Sequence, residues 1–159
     1  MKSDPSKTLK VYLAGSFAQK DRCVEAGSLI RDAGMLCYVF CDEGSEAYPH
    51  SMKLREERLI ETFTPMTAIR HPTIVQIYTL NMMELISSDV VVLILPCGKS
   101  AHLEAGLMKG LEGKLIIFGE MLKGEFDAMY CMADLVTDNF NEVIAQLANY
   151  NQEKGHNTL

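Results

Sequence analysis

The stretch Asp89-Val90-Val91-Val92-Leu93-Ile94-Leu95-Pro96-Cys97-Gly98-Lys99-Ser100 decides the fold. Val90 to Leu95 is apolar without alternation and rich in β-branched residues, which marks a strand covered on both faces. Pro96 to Ser100 closes it with a turn, and residues 101–111 read as a helix. Residues 72–87, just upstream, read as another helix, with Ile74, Ile77, Leu80, Met83 and Leu85 as core contacts. Downstream, residues 114–118 read as a fourth strand and residues 121–132 as a short helix or loop. Residues 134–137 give a weak fifth strand and residues 139–150 a closing amphipathic helix, followed by a polar tail that is expected to fray.

The beginning of the chain repeats the pattern. Leu9 with residues 10–14 forms an apolar run that ends at Gly15-Ser16. Residues 18–33 keep helical spacing up to a glycine stop at Gly34, and residues 35–41 read as a second buried strand. Residues 42–50 form a polar loop. Residues 51–71, charged and holding Pro65, read as a helix followed by a loop over a site. Strands and helices in alternation predict an α/β fold, a doubly wound, flavodoxin- or Rossmann-like parallel sheet of five strands with helices on both faces. Ligands of such sheets bind outside the carboxyl ends of the strands, near the switch in strand order. The segments after the first and third strands fall there.

At 159 residues the chain has the size of one domain, with residues 1–8 and 151–159 expected to be frayed. Its formal net charge of -6 argues against a nucleic-acid polymer as partner, because phosphate backbones need a basic face. The five cysteines, Cys23, Cys37, Cys41, Cys97 and Cys131, form no CxxC pair and join no histidine cluster, so no disulfide framework or zinc site is expected. The polar first residues offer no signal sequence, and no apolar run reaches membrane-span length. A reducing cytoplasm is the expected home, with no membrane partner and no cofactor.

Ser100 and Glu104 stand four residues apart and share one face of the helix after the central strand. A structural capping arrangement and a shared ligand contact are equally consistent with that spacing, which is one residue longer than the usual capping box. Gly98 permits close backbone approach, Ser100 can cap the helix, and the small Ala105 and Gly106 let it sit tightly on the sheet.

The string from Leu95 to Gly106, with Cys97-Gly98-Lys99-Ser100-Ala101-His102-Leu103-Glu104 at its centre, resembles the nucleoside 2-deoxyribosyltransferase family, especially its bacterial and phage-like members. Val11-Tyr12-Leu13-Ala14-Gly15-Ser16-Phe17, with Arg22 beyond it, resembles the family's opening strand and glycine turn. Together these segments frame most of residues 9–120. The resemblance implies that Glu104 is a nucleophile that attacks the sugar C1′ and expels the base, and that water or a second base resolves the glycosyl-enzyme. It implies that Tyr12 orients Glu104, that Gly15, Ser16, Gly98 and Ser100 face the sugar or its 5′ substituent, and that Phe17 and Arg22 are among the substrate-binding residues. His102 either contacts ligand or points out from the helix. The partner implied is a small nucleoside or nucleotide. A homodimer or higher homo-oligomer with shared active sites is also implied, Met129 and Tyr130 lying in the zone that completes a neighbouring site.

Two positions depart from the family. Asn81 stands where an Asp usually handles the proton on the leaving base, and an amide cannot act as a general acid. Asp42, Glu43 and Glu84 are the replacement candidates, Asp42 also as a ligand contact. Gly98 stands where an Asp or Ser holds the sugar. These departures keep a second reading open, a catalytically weak nucleotide-binding or sensing module on the same fold. A plain flavodoxin-like regulatory domain would need an acidic pair or flavin loop that Gly15-Ser16-Phe17 does not supply. Asp89, at the mouth of the strand, reads as a backbone-binding residue. His50, His71 and His156 read as surface residues, and Lys99 as either a phosphate contact or a solvated charge.

Overall fold

The computed structural model describes residues 7–120 and 122–156, so the expected fraying of residues 1–6 and 157–159 lies outside them. The chain runs β1 (Lys10–Ala14), α1 (Lys20–Asp32), β2 (Leu36–Val39), α2 (Tyr48–Glu56), α3 (Pro65–Ala68), α4 (Pro72–Ile86) and β3 (Val90–Ile94). It continues through α5 (Lys99–Gly110), β4 (Lys114–Phe118), β5 (Leu135–Thr137) and α6 (Phe140–His156). Short 3-10 turns occupy Phe17–Gln19, Leu59–Thr62 and Ala128–Met132.

The five strands form one parallel sheet in the order β2-β1-β3-β4-β5. The fold is therefore the doubly wound α/β arrangement that the sequence predicts, with its switch in strand order between β1 and β3. All five residues of β3 are buried, and alternate side chains feed two cores. On one face Val11, Leu13, Val90, Val92 and Ile94 pack with Cys23, Ala26 and Ile30 of α1 and Val143 and Leu147 of α6. On the other, Tyr12, Ala14, Val91 and Leu93 pack with Leu85 of α4 and Ala101, Ala105 and Met108 of α5. Each fully buried Val or Leu contributes about 1.5–3 kcal/mol by leaving water.

Several expectations are corrected. β2 is an edge strand in which only Val39 is buried, because a single neighbour covers it. The polar segment after it gives way at Tyr48 to a helix, which Pro49 in its first turn is suited to start. Residues 51–71 hold the rest of that helix, a 3-10 turn and α3, whose Thr64 and Thr67 form a capping box. On α4, Leu85 reaches the core but Met83 is exposed, because the helix leans its other side toward α5. The tail is helical through His156. It is tied down where Asn151 Oδ1 accepts a hydrogen bond from the Leu9 amide at 2.7 Å and Lys154 meets Asp89 at 2.7 Å. Gly34 ends α1 as expected, with a left-handed φ of 86° that suits glycine. His71 is no plain surface residue: its ring packs on Phe63, and its Nδ1 is buried without a partner among the described residues.

Candidate active site

The helix that carries Glu104 begins two residues earlier than the sequence suggests. Gly98 is its N-cap in extended conformation, no side chain caps it, and Ser100 lies within its first turn. The purely structural capping role for Ser100 and Glu104 is thereby removed. A Cβ at Gly98 or Gly106 would meet nothing within 4 Å, so neither glycine is required by crowding within the chain. Ala105, by contrast, is buried against the sheet.

Between α4 and α5 lies a cavity of about 400 Å³. Ile74, Ile77, Tyr78, Asn81 and Met82 line it from α4, and Ser100, Leu103, Glu104 and Leu107 from α5. Both sets follow the three-and-four spacing of a helix face, so two helix stripes make one wall each. Ile74 and Ile77, expected in the core, line this cavity instead. The volume falls within the range of small-molecule sites, and the wall is mostly apolar with a few polar groups.

Glu104 is half-buried, and its Oε1 accepts a hydrogen bond of 2.9 Å from the Tyr12 hydroxyl. Among the described residues no lysine, arginine or histidine forms an ion pair with it. Burial pushes its carboxyl up from 4.5 to about 7, and the Tyr12 hydrogen bond only partly offsets this. Desolvation thus outweighs any help that the helix terminus gives the anion, which fades beyond the first turn. Tyr12 itself is fully buried, and burial followed by the Glu104 charge raises its phenol far above the usual value. It therefore remains a hydrogen-bond donor.

Tyr38, which sequence reasoning missed, completes the arrangement. It is the register partner of Tyr12 across the β1–β2 ladder, and the two rings stack with centroids 5.3 Å apart. Its hydroxyl donates to Asn81 Oδ1 at 2.8 Å. The one available signal was that Tyr12 and Tyr38 occupy the same place in two neighbouring parallel strands.

The other expected contacts divide into two groups, neither of which reaches this cavity. Gly98, His102, Met129 and Tyr130 line a second cavity of about 680 Å³ on the opposite flank of α5, together with Cys97, Lys99 and Asp127. Leu103 borders both cavities. His102 does not simply point outward. Its Nδ1 donates to the Gly98 carbonyl at 2.9 Å, its Nε2 meets the Tyr130 hydroxyl at 3.1 Å, and the two rings are stacked.

Gly15, Ser16, Phe17, Arg22 and Asp42 line neither cavity. A Cβ at Gly15 would come within 2.7 Å of Cys23 Sγ, so this glycine answers to packing against α1. Ser16 caps the 3-10 turn, while Phe17 packs on Phe40 and lies under the Arg55 guanidinium. Arg22 donates to the Leu95 carbonyl at 3.0 Å and covers the Phe118 ring, which ties α1 to the end of β3. Asp42 pairs with Arg31 at 3.0 Å, Glu43 with Lys20 at 3.2 Å and Glu84 with Lys10 at 2.9 Å. None of the three replacement acids lines the cavity.

A third cavity, of about 550 Å³, opens at the amino ends of β1, β3 and β4, where Leu9, Asp89 and Lys114 line it. That is the end of such a sheet where ligands are not normally bound. Among the described residues no cluster of His, Cys, Asp and Glu is arranged to hold a metal ion, and no helix is long and apolar enough to cross a membrane.

Fold and site together define a parallel α/β protein of strand order 2-1-3-4-5 with one carboxylate in a mostly apolar cavity on one helical face. No family model matches the chain, and no curated protein matches it in sequence. Among solved structures it is similar to a 2-deoxyribosyltransferase of Bacillus psychrosaccharolyticus, with a TM-score of 0.58 at 17% identity, covering 87% of this chain and 95% of that one. It is also similar to a CMP N-glycosidase of Clostridium botulinum, with a TM-score of 0.51 at 13% identity, covering 89% of this chain and 98% of that one. At these identities the likeness is one of fold.

Proposed function

We propose that this protein cleaves the N-glycosidic bond of a nucleoside or nucleotide, with Glu104 as the nucleophile. The observation that carries this is the Glu104 carboxylate itself, held by Tyr12 in the wall of a cavity of nucleoside size and free of any ion pair among the described residues. The two fold neighbours, one acting on deoxyribosides and one on CMP, support the substrate class.

In the first step a Glu104 oxygen bonds to C1′ as the C1′–N bond breaks, and its electron pair stays on the base. In the second, water or another base attacks C1′ and releases the carboxylate, with retention over the two displacements. Tyr12 keeps the attacking carboxylate in one rotamer. Tyr78 and the aliphatic wall suit the flat face of a base, and Ser100 suits a sugar hydroxyl.

A second reading, a binding or sensing module without turnover, is favoured by Asn81, whose amide cannot protonate a leaving base. One experiment separates the two. The protein is incubated with nucleosides and 5′-monophosphates, with and without an acceptor base, and free base is followed by chromatography. Release of base that Glu104→Gln abolishes supports the enzyme. Saturable binding without release supports the module.

The exposed apolar side chains Leu103 at 75%, which borders both cavities, Met129 at 59%, which lines the second, and Phe126 at 83% suit cover by a second copy of the chain. In that assembly the segment around Met129 and Tyr130 completes the neighbour's site.

A further inference from the structure

The acid-base inventory of the Glu104 cavity is unusually short. Among the described residues its wall holds one carboxyl, Glu104, and the proposed mechanism consumes that group as the nucleophile. The remaining protic groups are the Tyr78 phenol, the Ser100 hydroxyl and the Asn81 amide, and none of them is a carboxylic acid. The nearby acids are engaged elsewhere, Glu84 by Lys10, Asp42 by Arg31 and Glu43 by Lys20.

The orientation of Asn81 is also fixed. Its Oδ1 accepts from the Tyr38 hydroxyl at 2.8 Å, and Tyr38 is held in turn by its stack on the fully buried Tyr12. With the amide oxygen occupied toward β2, the NH₂ group is what Asn81 offers to a ligand. It needs an acceptor there, and a carbonyl oxygen is the natural one.

We propose that the cavity is specialised for nucleosides with an oxo-base of the uracil or hypoxanthine kind, which departs as an anion while Asn81 donates a hydrogen bond to its carbonyl oxygen. The inference rests on the reading of Glu104 as the nucleophile. As the Glu104–C1′ bond forms, the glycosidic electron pair passes onto the base and delocalises onto its carbonyl oxygens. The Asn81 N–H stabilises the charge that develops there, as fixed donors do at other developing oxyanions. The base anion then takes a proton from water, so no enzyme acid is required. Cytosine and adenine carry an NH₂ group at the position of uracil O4 and hypoxanthine O6, the oxygen that receives the Asn81 hydrogen bond, so they spread the charge less well there and set a donor against the Asn81 donor.

The test is a panel of uridine, cytidine, inosine and adenosine in both ribo and 2′-deoxy forms, each also as its 5′-monophosphate, with 5-fluoro-2′-deoxyuridine as the more acidic analogue. Base release is read as kcat/KM. The expected result is a preference of at least about tenfold for uracil over cytosine and for hypoxanthine over adenine, with 5-fluorouracil faster still. Asn81→Asp, which supplies an acid in nearly the same shape, is expected to shift that preference toward the amino-bases. Tyr38→Phe, which frees the amide to turn, is expected to weaken the preference without abolishing turnover.

Equal release of oxo- and amino-bases, or the reverse preference, overturns the inference while leaving glycosidic cleavage intact. Release of no base from any nucleoside or monophosphate overturns the proposed function and the inference with it.

Discussion

Tyr12 and Tyr38 face each other across the β1–β2 ladder with stacked rings, and their hydroxyls end on Glu104 and Asn81, the two polar groups that would meet the reacting bond. The sheet therefore sets the relative placement of the groups presented by two different helices. A parallel register with Tyr12 opposite Tyr38 puts two phenols side by side at the helix-covered face, and each reaches one helix. Precision at the site then depends on strand pairing rather than on loops, which favours a fixed geometry.

Glu104→Gln keeps the shape of the side chain and an oxygen that accepts from Tyr12, but removes the negative charge that attacks C1′ in the proposed mechanism. Turnover is expected to fall about a thousandfold or more, with nucleoside affinity changed little. Rapid-quench mass spectrometry should find a glycosyl adduct on the wild-type protein and none on the variant. A variant that still turns over at the wild-type rate removes Glu104 from the mechanism.

The raised carboxyl of Glu104 also links stability to pH. Burial lifts it from 4.5 to about 7 in the folded protein, so across that window the folded state keeps a proton that the unfolded chain has released. Stability contributed by this group is full below pH 4.5, declines as pH rises to about 7, and is flat beyond. Glu104→Gln should therefore match the wild type in acid and exceed it by on the order of 2 kcal/mol at pH 8. Urea unfolding of both proteins at the two pH values measures the difference. Activity should follow the opposite course and rise through about pH 7 as the nucleophile ionises.

The sheet is legible in the sequence because its signals are local. Val90 to Ile94 is uniformly apolar, and only a strand buried on both faces explains that. Glu104 and Asn81 stand out through motif spacing and a family resemblance. The role of Tyr38 is not legible, because it depends on which strand neighbours β1 and in what register, and that information belongs to the folded sheet. The same holds for Phe17 and Arg22. Phe17 ends the stretch that resembles the family's glycine turn and Arg22 lies just beyond it, yet one packs under Arg55 and the other donates to the Leu95 carbonyl. Residues 51–71 are hard to read in the sequence because α3 depends on capping by Thr64 and Thr67 more than on a hydrophobic stripe.

Tyr12→Phe removes a hydroxyl whose hydrogen bond lowers the Glu104 carboxyl against the pull of burial. Without it the carboxyl is expected to titrate higher, moving the midpoint of the pH–rate profile to the alkaline side. At pH 7 the rate should fall by about tenfold, partly recovered at higher pH. A profile that loses height without shifting its midpoint would restrict Tyr12 to packing.

Leu103→Lys tests the assembly. Leu103 is 75% exposed on the crest between the two cavities, where a charge would be tolerated by a monomer and buried by a second copy. Light scattering is expected to give a dimer or larger species for the wild type and a monomer for the variant. A strictly monomeric wild-type protein at assay concentration rules the shared site out.

Asp89→Ala separates architecture from chemistry. The Asp89 carboxylate accepts from the Lys10 amide at 2.8 Å and from Lys154 Nζ at 2.7 Å, so one side chain joins the start of β1, the start of β3 and the end of α6. Removing it leaves the Lys10 amide without its acceptor and takes one ion-pair contact from Lys154, at a cost of about 2 kcal/mol. At this chain length that corresponds to a fall in Tm of roughly 4–8 °C. Asp89 lies at the amino ends of the strands, whereas Glu104 projects from the helix that follows β3, so the folded variant should keep its base preference and its kcat/KM. Because the loss is thermodynamic and remote, it should also be recovered by a stabilising osmolyte, whereas the loss caused by Glu104→Gln should not.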